Sequence, residues 1–212
     1  MGKIKQGILG GFSGKVANVV GSSWKGIAVI KSLPLSVANP DTAGQRAQRG
    51  AMTQAVAAGR LLLPVLISLF WNRFAQRMSG FNAFIKENIA TFQTVGFTSF
   101  ADFFATRGTL LGIVPTSVVV DESLNTLAFS YADNSGTADA LAGDTVSAVL
   151  YNASDATWLV LESFAVRSAG SASVGLSGFA AAGDLMKVYI FVGRLDYSKV
   201  ADSTYTAVTA IA

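Results

Sequence analysis

Cysteine and histidine are both absent from the sequence. Their absence removes disulfide scaffolds, Cys/His zinc sites, cysteine nucleophiles and every histidine acid–base mechanism. Charge is scarce: Asp, Glu, Lys and Arg make up 14% of the 212 residues, against 51% hydrophobic. A typical soluble domain carries about 25% charged residues. A chain this apolar is not of the disordered class, which cannot bury enough surface to offset its conformational entropy. Long hydrophobic runs are also lacking. The longest, residues 61–71 (LLLPVLISLFW), falls well short of the about 20 residues a membrane-crossing helix needs, so it reads as a buried helix and no span is expected. Residues 1–11 lack the long apolar core of a secretory signal.

What is abundant is glycine at the start. Gly2, Gly7, Gly10, Gly11, Gly14, Gly21 and Gly26 all precede Lys31, with short β-prone pieces at 16–20 and 27–30 between them. Such a segment forms strands and turns but has little side-chain volume for a core of its own. It reads as an arm ordered by pairing with its own domain or with a neighbouring subunit's sheet edge, Phe12 and Trp24 being its large anchors. Gly14-Lys15 does not make a phosphate loop: Leu9 stands where the first Gly belongs, and Val16 replaces the magnesium-binding hydroxyl. No Gly-x-Gly-x-x-Gly occurs either.

Residues 41–108 read as a helical block. Asp41 or Thr42 is placed to cap a helix over 43–62, with Gln45 at capping-box spacing. Pro64 is expected to interrupt it and open a second helix, with Val65, Leu66, Leu69, Phe70 and Phe74 inward and Arg73 and Arg77 on one face near its end. Ser79 caps a third, carrying Phe81, Phe84, Ile85 and Ile89 at helical spacing. A loop with Phe92, Phe97, Phe100, Phe103 and Phe104 follows. From residue 109 the pattern changes to short β-rich runs, at 110–114, 117–120, 126–131, 145–151, 157–166, 171–176, 185–192 and 204–209, separated by turn-forming residues. That spacing predicts an antiparallel Ig-like β-sandwich without the antibody disulfide, with Trp158, Tyr189 and Phe191 as inner-face anchors. The fold expected is therefore α+β in three parts: an arm and connector at 1–40, helices at 41–108 and a sandwich at 109–212.

Charge divides along the same lines. Residues 1–109 hold twelve bases and three acids, a balance of +9, while residues 110–212 hold four bases and ten acids, a balance of −6. Opposite signs on one chain suit head-to-tail attraction between copies, or two solvated parts that never meet. The acids Asp121, Glu122, Asp133 and Asp184 sit beside turn residues, which argues for solvated turns over paired catalytic carboxylates or a calcium site at Asp133. The bases of the helical block, with Gln45, Gln48 and Arg49 on adjacent turns, show no denser stripe or known nucleic-acid module, so nonspecific phosphate contact is the less favoured reading.

An ordered series of residues carries a resemblance: Met1-Gly2-Lys3, Gly10-Gly11-Phe12-Ser13-Gly14-Lys15-Val16, Val19-Val20-Gly21, Trp24-Lys25-Gly26-Ile27, Asn39-Pro40-x-Thr42, Gln45-x-x-Gln48-Arg49 and Met78-Ser79-Gly80-Phe81-Asn82. It resembles an uncharacterised family of roughly 200-residue proteins from Bacteroidota and their phages, with Ala17 where that family has Gly and Lys31 where it has Arg. The resemblance brings no activity or functional residues with it. A phage setting favours a virion or fibre component, by association.

These features together lead to the expectation of a non-enzymatic, self-assembling structural protein, a virion, tube or filament subunit, without cofactor or metal. Its partner is a second copy, and an extracellular or virion location is favoured over the cytoplasm. The residues expected at the assembly interface are Phe12, Lys15, Trp24, Lys25, Arg46 and Arg49. A sandwich that binds a glycan or protein is the alternative, with nucleic-acid packaging as a third.

Overall fold

A computed structural model describes residues 2–3, 12–24, 27–34, 36 and 40–211. The chain is mixed α/β and mostly β, and it divides into two compact units, Met1–Thr42 and Ala43–Ala212.

The first unit is a four-stranded antiparallel sheet of β1 (Gly2–Lys3), β2 (Gly14–Val16), β3 (Val19–Trp24) and β4 (Ile27–Ser32), in the order β1-β4-β3-β2. The β-prone run 16–20 is not one strand. It folds back at Ala17-Asn18 so that Val16 pairs with Val19 and Gly14 with Gly21. Ala17 holds φ at 48°, in the left-handed region that costs an alanine strain. The Leu33 amide donates to the Asn18 carbonyl at 2.7 Å and closes the far side of the hairpin. Gly21 is required for packing: a Cβ there would come within 2.7 Å of the Phe12 ring. Of the apolar side chains described in this unit, only Val29 is buried.

The second unit opens with α1 (Ala43–Leu62). Its inner face is built from small residues (Ala51, Ala55, Ala58 and Gly59, then Leu62), spaced to share one side of a 3.6-residue helix. Pro64 does not break this helix. The chain instead widens into π winding over Leu63–Trp71, with the proline at the start of the widened segment, and then passes into the short α2 (Asn72–Phe74). The Ser68 hydroxyl donates to the Pro64 carbonyl at 2.6 Å, giving the widened turn a partner. The apolar run 61–71 thereby joins a continuous 32-residue helix, Ala43–Phe74, long and apolar enough to cross a membrane by length and composition. Its Leu62, Leu66, Ile67, Phe70 and Trp71 are buried within the protein.

Helical structure ends at Phe74, so Arg77 is not on a helix as its spacing suggested. It occupies a turn with φ at 58°. Asn72 spans that turn by accepting the Gly80 amide at 3.1 Å. Ser79 caps α3 (Gly80–Asn88) as expected, accepting the Asn82 amide at 3.3 Å.

Seven strands follow: β5 (Pro115–Asp121), β6 (Thr126–Tyr131), β7 (Thr145–Asn152), β8 (Thr157–Val166), β9 (Ser171–Gly175), β10 (Leu185–Gly193) and β11 (Thr204–Thr209). They form two antiparallel sheets, β11-β10-β7-β8 and β5-β6-β9. Residues 110–114, expected as a strand, run instead as an irregular segment whose one β-bridge among the described residues joins Leu110 to Ala201.

β7 and β10 are buried on both faces. Because side chains alternate along a strand, Val146, Ala148, Leu150, Val188, Ile190 and Val192 point one way and meet Val120, Leu127, Phe129 and Tyr131 of the other sheet. Val149, Tyr189 and Phe191 point the other way, into a second core shared with Leu66, Ile67, Phe70, Trp71, Phe84 and Phe103. Tyr189 and Phe191, with Trp158 packed beside them, therefore anchor the helical side of the sheet and not the space between sheets. The result is three layers: helices, a four-stranded sheet and a three-stranded sheet. The phenylalanine-rich loop becomes part of this second core. The Phe103 ring lies 5.1 Å from Tyr189, 5.5 Å from Trp158 and 5.8 Å from Phe84. Burying a side chain of this size contributes about 1.5–3 kcal/mol.

Candidate functional site

At one end of the β-sheets the segment after α3 runs beside the β10–β11 connection. The Thr106 hydroxyl donates to the Ala201 carbonyl at 2.9 Å, the Gly108 amide to Asp202 at 2.8 Å and the Leu110 amide to the Val200 carbonyl at 3.1 Å. These bonds fix one wall of a cleft of about 670 Å³. The opposite wall comes from the end of the long helix, the 75–79 turn and α3.

The lining is cationic over an apolar floor. Arg73, Arg77, Lys86, Arg107 and Lys199 face Glu87 as the one acid. Phe70, Phe74, Met78 and Tyr197 supply apolar surface, with Phe70 and Tyr197 edge to face at 5.4 Å. Two of the five cations are engaged. Arg107 lies 3.6 Å from Asp202 and 4.2 Å above the Phe104 ring, and Lys199 lies 2.9 Å from Asp139. Arg73, Arg77 and Lys86 are exposed and have no carboxylate within ion-pair distance among the described residues. The Asp196 carboxyl is held below its ordinary range, first by the Ser198 hydroxyl and amide and less by the charge of Arg73. Chemically the cleft suits a negatively charged group with an apolar body.

A buried ionic cluster steadies the loops beside it. Asp144, 1% exposed, lies 3.2 Å from Arg167 and 3.3 Å from Arg194, and accepts the Leu141 amide at 2.9 Å. Arg167 is wholly buried and also donates to Asn134 and, at 2.7 Å, to the Leu111 carbonyl. Other acids of the β-sheet region hold turns. Asp121 accepts the Leu124 amide, Asp133 the Ser135 amide and Asp184 the Ala181 amide, and these bonds lower the carboxyl pKa in each case.

The residues expected at an assembly interface fall into two groups. Phe12 is 37% exposed and its ring covers Gly21, while Lys15 is exposed on β2. Trp24 ends β3 with its backbone paired to Ile27; its side chain and Lys25 lie outside the described residues. Arg46 and Arg49 are exposed on the first turns of α1, in the second unit. Arg46 and Arg49 do not line the cleft. Its cations come from positions as far apart as 73 and 199, and the sequence pairs only Arg73 and Arg77, by helical spacing.

Fold and cleft together define a β-rich mixed α/β protein with a cationic, aromatic-floored cleft at one end. Residues 11–207 match a family of unknown function (DUF6266), and the chain belongs to that family. No curated protein matches it.

Proposed function

We propose that this is a non-enzymatic, self-assembling structural protein, a subunit of a virion, tube or filament, whose first unit is an assembly arm. The observation that carries the reading is the imbalance of that unit. Four strands are laid down, yet Val29 is its one buried apolar side chain among the described residues, while Phe12, Val16 and Ile27 are 37%, 60% and 40% exposed. Below about 40 residues a fold without disulfides or metals usually needs a partner to complete its burial. Among the described residues β1 and β2 are the edges of this sheet, the surfaces on which strand addition acts. Lys15, Lys25, Arg46 and Arg49 would add charge attraction toward acidic surface on the next copy. The strand order β5-β6-β9 facing β11-β10-β7-β8, with β6 joined to β9 across two intervening strands, supports the Ig-like reading of the body, a fold common in surface and extracellular assemblies.

The test is molar mass by light scattering across a concentration series, for the full chain and for Val16→Lys/Ile27→Lys. Mass that grows with concentration in the parent and stays at one copy in the variant is the expected result. A parent that remains a monomer throughout refutes the proposal.

A further inference from the structure

We infer that the cationic cleft is a docking site for the β5–β6 turn of a second copy, so that the bodies join head to tail. This rests on the self-assembly reading and names a contact separate from the arm. The two surfaces lie at opposite ends of the strands. The cleft sits where β10 ends and β11 begins. The β5–β6 turn, residues 121–125, sits where β11 finishes, for Ile211 bridges to Asp121 and its carbonyl accepts the Glu122 amide at 2.8 Å. A contact between unlike ends of one body leaves a free end on each side, the geometry of rings and filaments.

Chemistry matches the two surfaces. The turn reads Asp-Glu-Ser-Leu-Asn and holds no base. Its Asp121 carboxylate shapes the loop by accepting the Ser123 hydroxyl and the Leu124 amide, both at 2.8 Å, which leaves Glu122 and Leu124 projecting. Leu124, at the tip of this ordered hairpin, is 71% exposed. Exposed Asp155 and the Asp184 turn lie at the same end, again with no base in residues 152–156 or 176–184. The cleft offers the counterpart: Arg73, Arg77 and Lys86 for the acids, and Phe74 and Met78, 38% and 43% exposed, for the leucine. Arg107 and Lys199 are held by their own carboxylates, so Arg73, Arg77 and Lys86, without an ion pair among the described residues, carry the attraction.

Because the chain has no cysteine, a disulfide can be placed at will. Full-length Met78→Cys and Leu124→Cys proteins, mixed under mild oxidation, should form a 78–124 cross-link identified by peptide mass spectrometry. The cross-link should form about tenfold or more faster than one between Leu124→Cys and Val95→Cys, an exposed position outside the cleft, and lose that advantage in high salt. Equal rates at positions 78 and 95 overturn the inference. So does pyrophosphate binding to the cleft, followed by titration calorimetry and lost in Arg73→Ser/Arg77→Ser, when no 78–124 link forms; that result marks a small-anion site. If the cross-link fails while mass still grows with concentration, the arm reading stands and this contact does not. If the 78–124 link forms while Val16→Lys/Ile27→Lys assembles as the parent does, the arm reading is the one that fails; if mass never grows, both fail.

Discussion

Replacing Arg167 by methionine tests the account of the buried ionic cluster most directly. The side chain is fully enclosed and satisfies three groups at once: the Asp144 carboxylate at 3.2 Å, the Asn134 side-chain oxygen and the Leu111 carbonyl at 2.7 Å. Methionine fills much of the same volume but donates nothing. Asp144 would keep Arg194 and the Leu141 amide yet lose its nearer cation, in a place that water does not reach. Breaking a buried pair from one side costs about 3–5 kcal/mol, more than an average core truncation of the same size, because the remaining charge stays desolvated. For a unit of this length that corresponds to a fall of about 10 °C in melting temperature. Urea titration followed by circular dichroism measures it, and the midpoint should move while the slope stays constant. Arg167→Met/Asp144→Asn should recover about 1–2 kcal/mol of the loss, since the stranded charge is gone. A single variant within about 1 kcal/mol of the parent would refute the reasoning and mean that the cluster is open to solvent.

Other expectations follow from local chemistry. Ala17→Gly relieves the positive φ in the β2–β3 turn and should stabilise that hairpin by about 1 kcal/mol, seen as roughly fivefold slower amide exchange at Lys15 and Val20; unchanged exchange would deny the strain. Burial pushes the Tyr189 phenol well above its ordinary range, with the nearby Tyr205 and Tyr151 adding to the effect, and its hydroxyl donates to the Phe100 carbonyl at 2.9 Å. Its contribution is complete below the ordinary tyrosine range near pH 10 and is lost as pH rises beyond it, so tyrosinate absorbance from this residue should emerge only together with alkaline unfolding. Asp184, held low chiefly by the Ala181 amide and then by the Asn152 side chain, behaves in the opposite sense. Its contribution is present above the ordinary carboxylate value of 3.8 and disappears as pH falls below it, so Asp184→Asn should lower the melting temperature at neutral pH and flatten the acid limb of its pH profile.

Strand positions were legible because period-two patterning and turn residues act locally. The stretches 126–131, 157–166 and 204–209 begin and end where the sequence places them. The direction in which Tyr189 and Phe191 point was not, although a signal existed. The run Val188 to Val192 is apolar without alternation, the mark of a strand covered on both sides. Once both sides are covered, the larger aromatic side chains need not lie between the sheets, and here they meet the helices. The helix does not break at Pro64 because the chain takes up the proline by changing from α to π winding, an option that the apolar pattern does not encode. The cleft was illegible for a different reason. It is made by the bonding of residues 105–110 along residues 200–203, and nothing in the spacing between Arg73 and Lys199 encodes that meeting.

The widened winding of Leu63–Trp71 sets the bearing of all that follows it. An ordinary α-helix advances about 100° per residue, and a π turn less. Removing one residue between Val65 and Leu69 and letting the backbone relax to α would keep the helix and its hydrophobic content, but swing Trp71 off the Ala105 carbonyl it reaches at 2.8 Å and carry Arg73 round with it. The segment works as an angular spacer. Insertions and deletions there should be felt at the far end of the helix long before they are felt within it.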